Sequence, residues 1–163
     1  RGKLTDPGKS VSITNIQPAL AADADDLSAL AVRSKAYWGY SDEFIEVCVE
    51  ILRVSPQMIE NQPCYVFASD EGVVQGFYLL EKIGDDCDLD MLFVAPDAIG
   101  KGVGRALMAH ALAAAAHLGC QRLLVISDPH ALPFYKAAGG LMIGWEKSEV
   151  SDTRLLPKLE FLL

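Results

Sequence analysis

Residues 89–107, LDMLFVAPDAIGKGVGRAL, carry the reading on which the fold turns. An apolar strand runs into a short turn, and three glycines, Gly100, Gly102 and Gly104, then open an apolar helix. Glycine at alternate positions removes each Cβ that would hold a ligand off the backbone and leaves successive amide N–H groups free to converge on an anion. The helix that follows aims its dipole and its unpaired first-turn N–H groups at the same spot. A pyrophosphate is held there without a cluster of basic side chains.

Outward from this stretch the chain alternates helix and strand patterns. Downstream, a helix over about 101–118 buries Val103, Leu107, Ala111, Ala114 and Leu118, and Gly119 stops it. Residues 122–127 read as a short, continuously apolar strand buried on both faces. Asp128 and Pro129 lead into a short helix over 131–138 closed by Gly139 and Gly140, and residues 141–147 and 158–163 supply two last strands. Upstream, residues 64–69 and 73–81 form a hairpin around Asp70, Glu71 and Gly72, and 86–94 adds a third antiparallel strand. Before these come a strand at 12–17 and a helix opened by Asp23, Asp25 and Asp26, with Leu27, Leu30, Ala31 and Ser34 on one face. A second helix is capped by Ser41 and turns Phe44, Val47, Cys48, Ile51 and Leu52 inward, while Ser55 and Pro56 start a short third one. Tyr37, Trp38 and Tyr40 around Gly39 make an aromatic elbow between the two long helices.

The 163 residues suffice for one core. The expected organisation is an arm at 1–10, disordered or left over from cloning, and a single domain over 11–163. Lys and Arg total 14 against 22 Asp and Glu, a net charge of −8 that argues against a nucleic-acid partner. This charge is either a solubility feature of the surface or a draw for an amine-bearing partner. No apolar run reaches the roughly 20 residues that span a bilayer. Cys48, Cys64, Cys87 and Cys120 lack metal-ligand spacing, so the expectation is buried, reduced thiols in a cytoplasmic protein with no metal and no membrane partner.

The glycine turn has competing readings. A Walker loop needs Ser or Thr after Gly-Lys, and here Lys101 precedes Gly102. A dinucleotide fingerprint needs Gly-x-Gly-x-x-Gly early in a βαβ unit, whereas these glycines are evenly spaced and follow antiparallel strands. A tight turn with no ligand is the plain alternative. The succession Leu92-Phe93-Val94, Ala95-Pro96, the glycine turn, an Ala-rich helix, a buried strand, then Asp128-Pro129-His130-Ala131 with Phe134-Tyr135 and Gly139 resembles GNAT-type N-acetyltransferases. The resemblance extends over 12–163 and is most specific over 88–140. It implies an α/β acyl-CoA N-acyltransferase fold: a mostly antiparallel mixed sheet of six to seven strands, splayed between the fourth and fifth, with helices on both faces. It also implies acetyl-CoA as cofactor, its pyrophosphate on an Arg/Gln-x-x-Gly-x-Gly/Ala turn that falls on Ile99 through Gly104. Ile99 departs from that pattern, removing a side-chain contact and leaving the backbone cradle. The segment SKAYWGY, Ser34 to Tyr40, also resembles a segment of a bacterial GNAT subgroup.

The implied reaction moves acetyl from acetyl-CoA to the primary amine of a small molecule or peptide by direct attack. A non-catalytic CoA-binding or regulatory module is the alternative, and a nucleotide-binding domain the second. Backbone groups of Leu92, Phe93 and Val94 are expected to pair with pantetheine and to supply the oxyanion donor. Gly100, Lys101, Gly102, Val103, Gly104 and Arg105 hold the pyrophosphate; Asp128, Ala131, Phe134 and Tyr135 complete the cofactor site. Tyr135, a phenol of ordinary pKa about 10, is the candidate general acid. Asp128 either caps the short helix or touches pantetheine. Asp88 and Asp90 alternate along their strand and share a face; Asp90 is the candidate general base, and Glu81 on the adjacent strand is the reserve beside the substrate. Tyr37, Trp38 and Tyr40 form either an aromatic wall over the acceptor or a hydrophobic corner between helices. His110 and His117 read as surface residues and His130 as a helix-start residue. The two terminal strands are candidates for pairing across a homodimer.

Overall fold

A computed structural model describes residues 15–163; the expected arm at 1–10 and the first residues of the expected strand at 12–17 lie outside the described residues. Seven strands among the described residues form one sheet: β1 (Ile16–Pro18), β2 (Cys64–Ala68), β3 (Val74–Ile83), β4 (Asp86–Val94), β5 (Arg122–Ile126), β6 (Leu141–Lys147) and β7 (Leu155–Leu162). Their order across the sheet is β1-β2-β3-β4-β5-β7-β6. Among the described residues only the β4–β5 pairing is parallel. The helices are α1 (Ala24–Ala36), α2 (Asp42–Ile51), α3 (Pro56–Asn61), α4 (Val103–His117) and α5 (Leu132–Ala137). None is long and apolar enough to cross a membrane.

The sheet is splayed where the fourth and fifth strands meet. β4 and β5 stay in register for three pairs only, Asp86 with Arg122, Cys87 with Leu123 and Asp88 with Leu124. Just beyond, the β3–β4 ladder steps from Leu80↔Leu89 to Leu79↔Met91, so Asp90 is the extra residue of a β-bulge. A bulge bends its strand and raises the local twist. β4 therefore follows β3 away from β5, while β5 stays paired with β7 as far as Ile126↔Lys158.

The core sits over β3, where Phe77, Tyr78, Leu79 and Leu80 are all buried. Four successive buried residues need cover on both faces. Helix α4 lies against β3 and β4 on one side and α1 covers β4 on the other. Gly76 permits the close approach of α4, since a Cβ there would sit 2.8 Å from Leu107 Cδ1 and 2.9 Å from the Phe93 carbonyl oxygen.

Several expectations need correction. β5 is not buried on both faces: Leu123 and Val125 are buried, but Ile126 is 48% exposed because β4 has already parted from it. In α2 Cys48 alone is buried, and Val47 points outward at 50% exposure. α4 starts at Val103 and buries Val103, Leu107, Met108, Ala111 and Ala115, with Ala114 and Leu118 only partly covered. A 3-10 turn, Pro129–Ala131, precedes a shorter α5, and β7 begins three residues earlier than the apolar pattern alone implies. β6 is the outer strand, with Leu141, Ile143 and Trp145 exposed.

Candidate functional site

The glycine turn has the backbone its sequence requires at two of three positions. Gly100 and Gly102 have φ of 79° and 86°, left-handed values that side chains disfavour. Gly102 is the N-cap of α4 and offers no capping side chain, and the first backbone bond into the helix is from the Ala106 N–H to the Gly102 carbonyl at 3.0 Å. The amides of Val103, Gly104 and Arg105 thus lack helical acceptors. Gly104 differs from expectation. A Cβ there would meet Phe134 Cε1 at 3.3 Å and Val94 Cγ2 at 3.4 Å, so its smallness serves packing rather than ligand approach. That contact joins the end of β4, the start of α4 and α5.

The edge of β4 that faces β5 has no strand partner from Leu89 onward, so backbone groups of Leu92, Phe93 and Val94 border the gap. On the far side stands Tyr135, buried, with Ala131 and Phe134 partly covered beside it. Its hydroxyl has no hydrogen-bond partner among the described residues, yet none of their buried side-chain polar atoms is sealed off unpaired. Burial, and then the Asp128 charge, raise the Tyr135 pKa well above the ordinary tyrosine value.

Across from it, three carboxylates converge. Glu81 pairs with Asp88 across β3 and β4, and Asp90 projects from the bulge beside them. Gln62, at the end of α3, donates through Nε2 to Asp90 Oδ2 at 3.1 Å and to the Leu80 carbonyl at 3.0 Å. Loss of surrounding water, then the Glu81 charge, raises the Asp90 pKa to about 7, against the opposing pull of Gln62. Asp88 is raised too, by burial and then Glu81, with Lys158 opposing. The expectation that Asp88 and Asp90 share a face with Glu81 nearby is met, though through a bulge and not plain alternation. Gln62 and Glu81 also line an open hollow of about 620 Å³ that includes Leu118. That hollow is at the far end of α4 from the glycine turn, so the gap between strands is the more relevant space.

Asp128 is a hub. It caps the 3-10 turn through Oδ1, accepting the His130 N–H at 2.8 Å, and its Oδ2 accepts from Lys35 Nζ and from the Tyr40 hydroxyl at 2.8 Å. Burial alone would raise its pKa, but the hydrogen bonds from Lys35, the His130 N–H and Tyr40 hold it well below the usual carboxylate range. Arg154, just before β7, donates to the Tyr40 hydroxyl at 2.7 Å. The Tyr40 ring stacks on Phe44 at 4.3 Å, and Trp38 stacks on His130 at 5.1 Å. The aromatic elbow therefore splits: Trp38 and Tyr40 join the hub, while Tyr37 stays on the outside, edge-on to Trp38 and 53% exposed. Lys35, Gln62 and Arg154 escaped the sequence reading; only the SKAYWGY segment hinted at Lys35. His110 is no plain surface residue, since its Nδ1 sits 2.6 Å from the Tyr78 hydroxyl.

A parted strand pair with an uncapped, glycine-opened helix at its mouth defines an α/β domain built to hold an extended anionic ligand between strands. The chain belongs to the acetyltransferase (GNAT) family, which it matches over residues 29–139. It is 32% identical over 103 residues to the peptidyl-lysine N-acetyltransferase YjaB of Salmonella typhimurium, covering 63% of this chain and 66% of that protein. The fold is similar to that of a GCN5-related N-acetyltransferase from Rhodopseudomonas palustris, with a TM-score of 0.77, 23% identity, and coverage of 91% of this chain and 94% of that one. It is also similar to the coenzyme A complex of the PaiA N-acetyltransferase from Thermoplasma acidophilum, with a TM-score of 0.75, 19% identity, and coverage of 91% and 98%. At these identities the two structures speak to fold alone. The chain also matches, at 30% identity over 66 residues, an endoglucanase D of Acetivibrio thermocellus, and spans 11% of that protein's length.

Proposed function

We propose that the protein transfers an acetyl group from acetyl-CoA to a primary amine by direct attack. The observation that carries this is the parting of β4 from β5 at the Asp90 bulge, which frees the edge of Leu92, Phe93 and Val94 beside the uncapped start of α4. The coenzyme A bound to the Thermoplasma relative and the lysine amine named for the Salmonella relative support it. The residues present fit coenzyme A: Val103, Gly104 and Arg105 offer free amides to the pyrophosphate, and Lys101 and Arg105 are exposed to add charge. When bound, acetyl-CoA supplies an activated acetyl thioester.

The chain's own residues then meet three demands. Asp90, with a pKa of about 7, takes the proton from the attacking amine while Glu81 holds that pKa up. A backbone N–H among Leu92, Phe93 and Val94 faces the charge that builds on the acetyl oxygen. Tyr135, protonated throughout the neutral range, donates to the departing sulfur. Trp38 and Tyr40 wall the acceptor side. Calorimetry with acetyl-CoA, ATP and NAD, followed by thiol release against a panel of amines, tests the proposal. Preference for either nucleotide, or acetyl-CoA binding without turnover of any amine, refutes it.

A further inference from the structure

The hub around Asp128 holds more positive charge than one carboxylate neutralises. Lys35 is paired to Asp128, and its side chain is 14% exposed. The Arg154 side chain is 22% exposed and stands 3.6 Å from Asp128 Oδ2, beyond hydrogen-bond range. A guanidinium has five N–H donors. One reaches the Tyr40 hydroxyl, and the others have no hydrogen-bond acceptor among the described residues. Its Cζ lies 4.9 Å from the centre of the Phe44 ring and 5.2 Å from that of Tyr40, so the two rings hold the group in place while its remaining donors stay open. In a chain of net charge −8, this is an anion-binding arrangement set among acids.

Its place gives it meaning. Asp128 follows β5 by two residues, and the carboxylate trio lies at the base of the gap, where Asp88 is still paired with Leu124 and feels the charge of Lys158, the residue paired with Ile126. One gap is thus acidic on its β4 side and cationic where β5 ends. We infer that the acceptor is bipolar, a primary amine that also carries a carboxylate, and that Arg154 receives the carboxylate while the amine reaches Asp90. This rests on the acetyl-transfer reading. Asp88 pairs with Leu124, and Asp128 lies four residues further on. At roughly 3.3 Å per residue that stretch of β5 and its end spans about 13 Å, which sets the scale of the acceptor's length. Internal lysines of a protein, flanked by neutral amides, do not meet this requirement.

Straight-chain ω-amino acids of increasing length and their primary amides, assayed in pairs by thiol release, test the inference. At the fitting length the acid exceeds its amide in kcat/KM by about tenfold or more, the scale of one charged hydrogen bond. R154Q brings that ratio close to one, and R154K restores part of it; the ratio within each variant corrects for any general loss of activity. Titration of the best acid into CoA-loaded wild-type protein gives a second readout, with binding of the acid and none of its amide. Turnover of acids and amides alike at every length overturns the carboxylate subsite and leaves acetyl transfer standing. Failure to bind acetyl-CoA overturns the reading beneath it.

Discussion

Substituting Asp90 gives the sharpest test of how the amine loses its proton. With its pKa at about 7, Asp90 is ionised in about one tenth of molecules at pH 6 and nine tenths at pH 8, a nearly tenfold change across that interval. An acceptor amine of ordinary pKa near 10.4 would impose its own rise over the same range. The assay therefore uses a weakly basic amine, such as an alkoxyamine, that is already unprotonated at every pH tested, so the limb belongs to the enzyme. Wild-type kcat/KM climbs nearly tenfold from pH 6 to 8 and then levels. D90N lowers it by about 10²–10⁴ and flattens the limb. E81Q retains the base but removes the charge that opposes its ionisation, so its limb moves to lower pH. Loss of the Gln62 amide in Q62L moves it to higher pH, since that donor favours the carboxylate. A D90N protein that keeps the limb near pH 7, or an E81Q limb that moves upward, refutes the assignment.

Three further outcomes follow. Y135F lowers kcat by about 10² or more while acetyl-CoA affinity measured by calorimetry is unchanged, because the hydroxyl serves the leaving sulfur and not the packing. D128N breaks a largely covered pair with Lys35, keeps an amide oxygen to cap His130, and costs about 3 kcal/mol, lowering Tm by roughly 6–12 °C in a thermal scan. Its sign with pH is fixed: the folded-state pKa of Asp128 is depressed, so the wild-type advantage is complete above the unfolded value of about 3.9 and shrinks as pH falls below it. G100A adds a methyl that meets nothing within 4 Å but sits at φ 79°, so it costs only the left-handed strain of about 1–2 kcal/mol, read as a lower denaturation midpoint.

Local chemistry made much of this architecture legible from sequence. The serine caps Ser41 and Ser55, the hairpin at Gly72, the stop at Gly119 and the glycine-opened helix each depend on neighbours within a few residues, and the elements lie where those signals put them. Errors arose where burial depends on a distant partner. Ile126 looks like core in a run of apolar residues, but the strand that would cover it has bent away. Val47 looks inward by periodicity, but half of it is exposed among the described residues. Gly104 fits a ligand-approach pattern, yet Phe134, thirty residues on, occupies the space its missing Cβ leaves.

Sequence alone determined the order of strands and helices, the phosphate-type turn and a family resemblance, because periodicity, capping and left-handed glycines are written in adjacent residues. The splay between β4 and β5 was implied by the resemblance, but tertiary structure alone placed the extra residue at Asp90 beside it. It also decided that Glu81 and Gln62 meet Asp90, and that Lys35, Tyr40 and Arg154 gather on Asp128 across 93, 88 and 26 positions of chain. Charges and hydroxyls so far apart carry no local pattern; their pairing exists only once the sheet has set the distances between them.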